Sequence, residues 1–342
     1  MENVYQKLLR RLEESSESHI LSTKLSKNGR GDVAEFEREI DAYLTEEEKK
    51  ELLLSGKPGI FARDTYDIYA EPYYKKERMV IFGGGHVALP LAKFAKMTGM
   101  YVIVVDDRKE FANRERFPDA DEVICSEYTE CLKFVKPTVC DYFVAVTRGH
   151  VSDSVCIREL MKYPESVYTG MIGSKNRKKI VLEELEAEGY DRERLHRICA
   201  PIGLEIGAMT TEEIGISIMA EVIRRKRIES KENILISRSD GDSYVIEQLA
   251  KEKEPFCAVT IMQAVGSAPR YAGARMMVYP DKRIVGTIGG GKVELRSIEK
   301  AVSFIGTGAY EVRDISLAGA DAMAEGMACG GSVKMLFEDF AG

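Results

Sequence analysis

The sequence predicts an α/β fold, a doubly wound parallel sheet together with a smaller glycine-rich α+β domain. Three observations predict it. Met79 to Phe82 is a short apolar run closed at once by glycine, as a strand buried on both faces should be. Gly83, Gly84 and Gly85 follow and, with Ala88, fit G-x-G-x-x-A. In that pattern one glycine makes a tight turn, one lets backbone approach a pyrophosphate, and a small residue lets helix pack on strand. From Arg78 onward, strand and helix patterns alternate as a parallel sheet requires.

The helix opening near His86 aims free N–H groups and its positive dipole end at phosphates. The next strand, Tyr101 to Val105, delivers Asp106, an acid placed to take ribose hydroxyls and to repel a 2′-phosphate. Further strands are expected at Glu122 to Cys125, Tyr142 to Thr147 and Val167 to Ile172, with helices near Glu130 to Val135 and Ser154 to Tyr163. A doubly wound sheet binds ligands at the carboxyl ends of its strands, beside the switch point. There stand Thr147, Arg148, His150 and Asp153, and then Gly173, Ser174 and Lys175. Thr210 to Glu213 reads as a capping box for a helix ending near Arg227 in four basic residues.

Residues 1–76 read as an accessory subdomain, 77–228 as the dinucleotide-binding type of domain, 229–243 as a linker and 244–342 as the glycine-rich domain. The first contains a helix carrying Val4, Leu8 and Leu12, a strand from His19 to Leu25, and an apolar run from Tyr66 to Tyr73. The last contains a helix at Tyr244 to Leu249, strands at Phe256 to Gln263, Gly273 to Val278 and Val333 to Phe337, and glycine turns. Gly289, Gly290 and Gly291 open a helix, and Cys329, Gly330 and Gly331 precede the final strand. Glycine at so many turns implies backbone approaching something closely. The two ends also repeat one another. His19 to Gly29 matches Phe256 to Gly266 at a constant offset, each preceded by a similar short helix, and the first copy lacks the glycine elements.

Composition narrows the function. The 342 residues are 44% hydrophobic and 31% charged with formal charge −7, which argues against a basic nucleic-acid surface. No apolar stretch approaches bilayer length and the amino terminus has no apolar leader core, so a cytoplasmic protein is expected. Seven scattered cysteines without C-x-x-C argue against a disulfide framework or structural zinc site.

The motifs GSAPR with GARMMV, GTIGGGKVE, ACGG, IFGGGHV with VVDDR, TRGHVSD, MIGSKNRK and APIGLEIGAMTTEEIGISIMAEVI together resemble those of the XdhC/CoxI family, the accessory proteins of molybdenum hydroxylases such as xanthine dehydrogenase. The resemblance implies a homodimer that binds molybdenum cofactor (molybdopterin). It further implies a chaperone, not a free-standing enzyme, that protects the cofactor during sulfuration by a cysteine desulfurase and delivers it to the apo-hydroxylase. Two departures stand out. The glycine-rich domain follows the dinucleotide-binding domain here, where family members place it first, and Lys292 stands where the family often has cysteine. Cys329 is then the candidate molybdenum ligand, with Gly289, Gly290, Gly291 and Gly330 as phosphate-holding backbone. Two further readings stay open: an NAD(P)-dependent oxidoreductase using the Gly83–Asp106 unit, and a regulatory protein in which a bound adenine nucleotide is sensed.

Overall fold

The computed structural model describes residues 2–15, 17–27, 33–228, 237–316 and 331–340. The chain forms two compact units, residues 76–234 and the combination of 1–75 with 235–342.

The combined unit begins with helix α1 (Val4–Glu14), whose start is closed by reciprocal hydrogen bonds between Asn3 and Gln6 and whose Tyr5, Leu8 and Leu12 are buried. Strands β1 (His19–Lys27) and β2 (Val33–Ile40) pair antiparallel, α2 (Glu46–Ser55) follows a second capping box at Thr45, and β3 (Gly59–Ala62) and β4 (Tyr66–Tyr73) complete a sheet in the order β2-β1-β4-β3.

The second unit is the expected doubly wound sheet. Its elements are β5 (Arg78–Phe82), α3 (Ala88–Met97), β6 (Tyr101–Asp106), β7 (Glu122–Cys125), α4 (Leu132–Val135), β8 (Asp141–Ala145), α5 (His150–Leu160), β9 (Tyr168–Met171), α6 (Lys175–Ala187), α7 (Arg192–His196) and α8 (Thr211–Arg227). All five strands run parallel in the order β7-β6-β5-β8-β9, so the order reverses between β5 and β8. Alternate residues serve opposite faces. Met79, Ile81, Val102 and Val104 pack under α3 and α8, while Val80, Phe82, Ile103 and Val105 pack under α5 and α6. The expected capping box forms at Thr210. Two starts differ from expectation: α3 opens at Ala88, leaving His86 in the preceding turn, and α5 opens at His150 instead of Ser154.

The last segment returns to the first unit with α9 (Ser243–Lys251), β10 (Phe256–Val265), β11 (Arg275–Val278), β12 (Ile284–Gly286), α10 (Gly291–Phe304), β13 (Tyr310–Ser316) and β14 (Ser332–Phe340), in sheet order β12-β11-β10-β14-β13. Apart from the short β12, this is the connectivity of the first copy, a helix, a hairpin, a helix and two more strands. The repeat seen in sequence is therefore a repeat of fold.

The copies are joined by an exchange of buried charge. Arg38 on β2 holds Thr23 of its own copy at 2.8 Å and Glu338 of the other, with Nη1 at 2.9 and 2.8 Å from the two carboxylate oxygens. At the equivalent place Arg275 on β11 holds Thr260 at 2.7 Å and Glu71 of the first copy at 3.0 and 2.9 Å. Arg275 and Glu71 are 2% and 3% exposed, so neither charge has water to fall back on. Burial works against the Arg275 guanidinium, but Glu71 together with Tyr5, Tyr73 and Tyr69 outweighs it and raises the group's pKa well above its ordinary range. Tyr5 and Tyr73 face the two arginines with their hydroxyls, and α1 and α9 share one apolar core.

This arrangement makes a prediction for unfolding. Arg275→Met leaves Glu71 buried without its counter-charge and should cost about 3–5 kcal/mol, whereas Arg275→Met combined with Glu71→Leu should recover most of the loss. Urea midpoints of the full chain measure both. Equal destabilisation by the single and double variants would contradict the pairing.

Candidate functional site

In the parallel-sheet unit, the glycine turn sits at the carboxyl end of β5 as expected, but the chain itself uses two of its three glycines. A Cβ on Gly83 would lie 2.7 Å from the Val146 carbonyl, and one on Gly84 would lie 2.1 Å from the Phe111 carbonyl. Arg116 reaches back to the Gly84 carbonyl at 2.8 Å, and the rings and guanidinia of Phe111, Arg108 and Arg116 stack, with Arg108 3.6 Å from the ring centre. The segment after β6 is thus folded onto the turn at Gly84, the unspecified position of G-x-G-x-x-A, and leaves clear Gly85, the second glycine of the pattern and the one read as approached by a pyrophosphate. Gly85 is the exception of the three. A Cβ there would meet nothing within 4 Å, and the residue opens to solvent beside exposed His86 and the uncapped start of α3.

Asp106 also differs from its reading. It is fully buried; one oxygen accepts the Gly84 N–H at 2.8 Å and Arg108 Nη2 at 3.0 Å, the other the Arg108 N–H and Nε at 2.9 Å each. Burial raises its pKa, but Arg108 and the Gly84 N–H outweigh burial and hold it below the usual carboxylate value. Both oxygens are taken, so the side chain fixes the glycine turn and presents no free acceptor to a ribose.

At the ends of β8 and β9 the expected residues do meet. Thr147 donates to one oxygen of Asp153 at 2.5 Å, and Arg177 Nε donates to the other at 2.6 Å. Asp153 is wholly buried, which pushes its carboxyl above the usual range against the pull of Thr147 and Arg177. Ser174 caps α6 by accepting the Arg177 N–H at 3.2 Å, and Gly173 is needed because a Cβ there would strike Arg177 Cδ at 2.6 Å. Arg148 is exposed and pairs with Asp107 at 2.8 Å, and His150 is exposed at the start of α5. Gly85, His86, Arg148, His150 and Ser174 therefore form the accessible rim, and Asp106, Thr147, Asp153 and Arg177 the frame beneath. Sequence reasoning passed over Arg177; its place three residues after an N-cap serine was the available signal.

A second glycine cluster lies in the other unit. A Cβ on Gly289 would meet Pro269 at 2.5 Å, and one on Gly331 would meet the carbonyls of Val265 and Ser267 at 2.5 and 2.6 Å. The 266–270 turn, the loop before α10 and Gly331 thus come together. Gly290 and Gly291 face open space, and Gly290 precedes α10 without any side-chain cap. Glu294, unremarked in the sequence, accepts from the Thr287 hydroxyl, from Ile288 N at 2.9 Å and from Gly290 N at 3.2 Å, which gives the loop its shape. Lys292 is exposed. Cys329 and Gly330 lie outside the described residues. Among the described residues no group of three His, Cys, Asp or Glu side chains is arranged to hold a metal ion, and burial pushes the Cys131 and Cys257 thiols up to about 12.

Comparison with known proteins agrees with both units. Residues 79–222 match the XdhC Rossmann domain, and residues 249–316 match the XdhC and CoxI family. The chain is 32% identical over 165 residues to a probable xanthine dehydrogenase subunit of Bacillus subtilis (strain 168), covering 48% of each protein. It is 29% identical over 163 residues to the uncharacterized protein YqeB of Escherichia coli (strain K12), covering 46% of this chain and 29% of that one. The chain thus spans about half the length, or less, of these relatives. A crystal structure of a xanthine dehydrogenase from Bacillus halodurans shares the fold, with TM-score 0.52 and 24% identity over 67% of this chain and 65% of that one. With its Rossmann domain and its glycine-rich domain each matched in turn, the chain belongs to the XdhC/CoxI family.

Proposed function

We propose that this chain is a cytoplasmic accessory protein of a molybdenum hydroxylase of the xanthine dehydrogenase kind. In this reading it takes up molybdenum cofactor, holds it while a cysteine desulfurase supplies the terminal sulfur, and passes it to the apo-hydroxylase. The observation that carries the reading is the meeting of the 266–270 turn, the Gly289–Gly291 loop and Gly331, with Gly290 and Gly291 left in the open. The donors fit the cargo, which brings a soft molybdenum centre and an anionic pterin phosphate. Backbone N–H groups at the start of α10 suit the phosphate, and exposed Lys292 adds a cation there. Glu294 keeps the loop in shape, and Cys329 supplies a thiolate for the metal. Homodimer formation, if it accompanies this role, uses surfaces other than the Arg38 and Arg275 contacts, which are satisfied within one chain.

A second reading, that the chain senses an adenine nucleotide such as NAD, is favoured by one observation: Gly85 is open beside the free start of α3, at the same sheet end from which exposed Arg148, His150 and Ser174 follow β8 and β9. Phosphates would lie over Gly85. With Arg108 already on Asp106, NADPH and NADH should bind almost equally.

Two experiments test these readings. Cys329→Ser in protein purified anaerobically from a molybdate-fed host should lower molybdenum per chain while the thermal midpoint holds, because a hydroxyl is a harder and far less acidic donor than a thiol. Unchanged molybdenum, or a fall matched by unfolding, would remove the cysteine from the mechanism. For the cleft, Gly85→Ala should shift stability by no more than about 0.5 kcal/mol yet weaken NADH binding, whereas Gly84→Ala should cost about 2 kcal/mol or more by driving Phe111 off the turn. Calorimetry showing the same NADH affinity in Gly85→Ala as in the unaltered chain would contradict the placement of the phosphates.

A further inference from the structure

At the amino end of β9, away from the strand ends that carry the glycine turn, the parallel-sheet unit encloses a cavity of about 420 Å³ between α5, α7, α8 and β9. In a chain of net charge −7 its lining is cationic: Lys178, Arg194, Arg197, Arg225 and His196 against only Glu165 and Glu221. The two acids are engaged. Arg197 takes both oxygens of Glu165 at 2.7 and 2.9 Å, and Glu221, 7% exposed, accepts the Tyr168 hydroxyl at 2.6 Å and the Gly203 N–H at 2.8 Å.

Lys178 and Arg194 are held differently. Lys178 Nζ donates to the Ile198 carbonyl at 2.9 Å, and the two terminal nitrogens of Arg194 donate to the Met161 and Leu160 carbonyls at 3.1 and 2.9 Å. Neutral carbonyls orient a cation and leave its charge in place. Burial, helped by the neighbouring Arg197 charge, lowers the Arg194 pKa below its ordinary value against the pull of Glu165 and Asp191, so the group is a desolvated cation whose charge these acids only partly offset. Ile157, Val167 and Pro201 supply an apolar wall to the same space. A charged corner joined to an apolar wall suits a small molecule with an anionic head and an organic body.

We propose that this cavity binds a small phosphate monoester, its phosphate on Lys178 and Arg194 and its organic group along the wall of Ile157, Val167 and Pro201. The site is separate from the glycine cleft and from the cofactor-handling loops, so it stands or falls without them. Phenyl phosphate is the probe, titrated calorimetrically into the full chain at ionic strength held constant with chloride. The expected result is one saturable site per chain, binding phenyl phosphate more tightly than inorganic phosphate. Lys178→Met, which keeps the aliphatic stem, should weaken it by about tenfold or more, the scale of one lost charge-assisted contact, and Arg194→Gln should do the same. Absence of saturable binding, equal affinity for inorganic phosphate, or binding retained by Lys178→Met at an unchanged thermal midpoint would overturn the proposal. Should Arg194→Gln fail to fold, the Lys178→Met result decides.

Discussion

The unit formed by the two ends of the chain depends on one exchange, in which each copy of the repeat lends an arginine to the glutamate of the other. Arg38 reaches Glu338 and Arg275 reaches Glu71, each arginine steadied by a threonine of its own copy, Thr23 and Thr260. A buried ion pair adds little net stability over an apolar pair of the same shape, but it penalises severely any register that leaves one member unmatched. Around this contact the apolar stripes of α1 and α9 share a core, and the Phe36 ring lies 5.0 Å from Tyr310, covering the edge strand β2.

The two copies also differ in their glycine motifs. The first copy lacks the glycine motifs of the second and supplies partners for the buried charges. The second copy keeps the GSAPR turn and the loop before α10, where Gly290 and Gly291 have room for a ligand. In the Rossmann unit the same question, whether a glycine serves the fold or a ligand, has a different answer at each position. Gly83 and Gly84 serve contacts with Val146 and Phe111, and Gly85 is the one left in open space.

Much of the architecture was legible because it rests on local patterns. The apolar run of β5 could only be a buried strand, the Thr210 capping box marked the start of α8, and the repeat betrayed the two related sheets. Residues 33–55 were opaque for a physical reason: β2 is a charged edge strand, and α2 buries only Leu52 in a run of Glu and Lys, so neither carries a clear apolar period. The site was legible in outline and not in role. An acid after the second strand looks the same in sequence whether it is free for ribose or neutralised by Arg108 two residues on. Nothing local announces that Phe111 will close on Gly84, because that contact is made by the fold.

The chain thus carries two copies of one scaffold, and in the proposed function it is the second, with its GSAPR and GTIGGG motifs, that handles molybdenum cofactor. Native mass spectrometry of the full chain, purified anaerobically from a molybdate-fed host, tests this most directly. The predicted result is a mass increment of a single molybdenum-bearing pterin per chain. No increment, or two per chain, would contradict it.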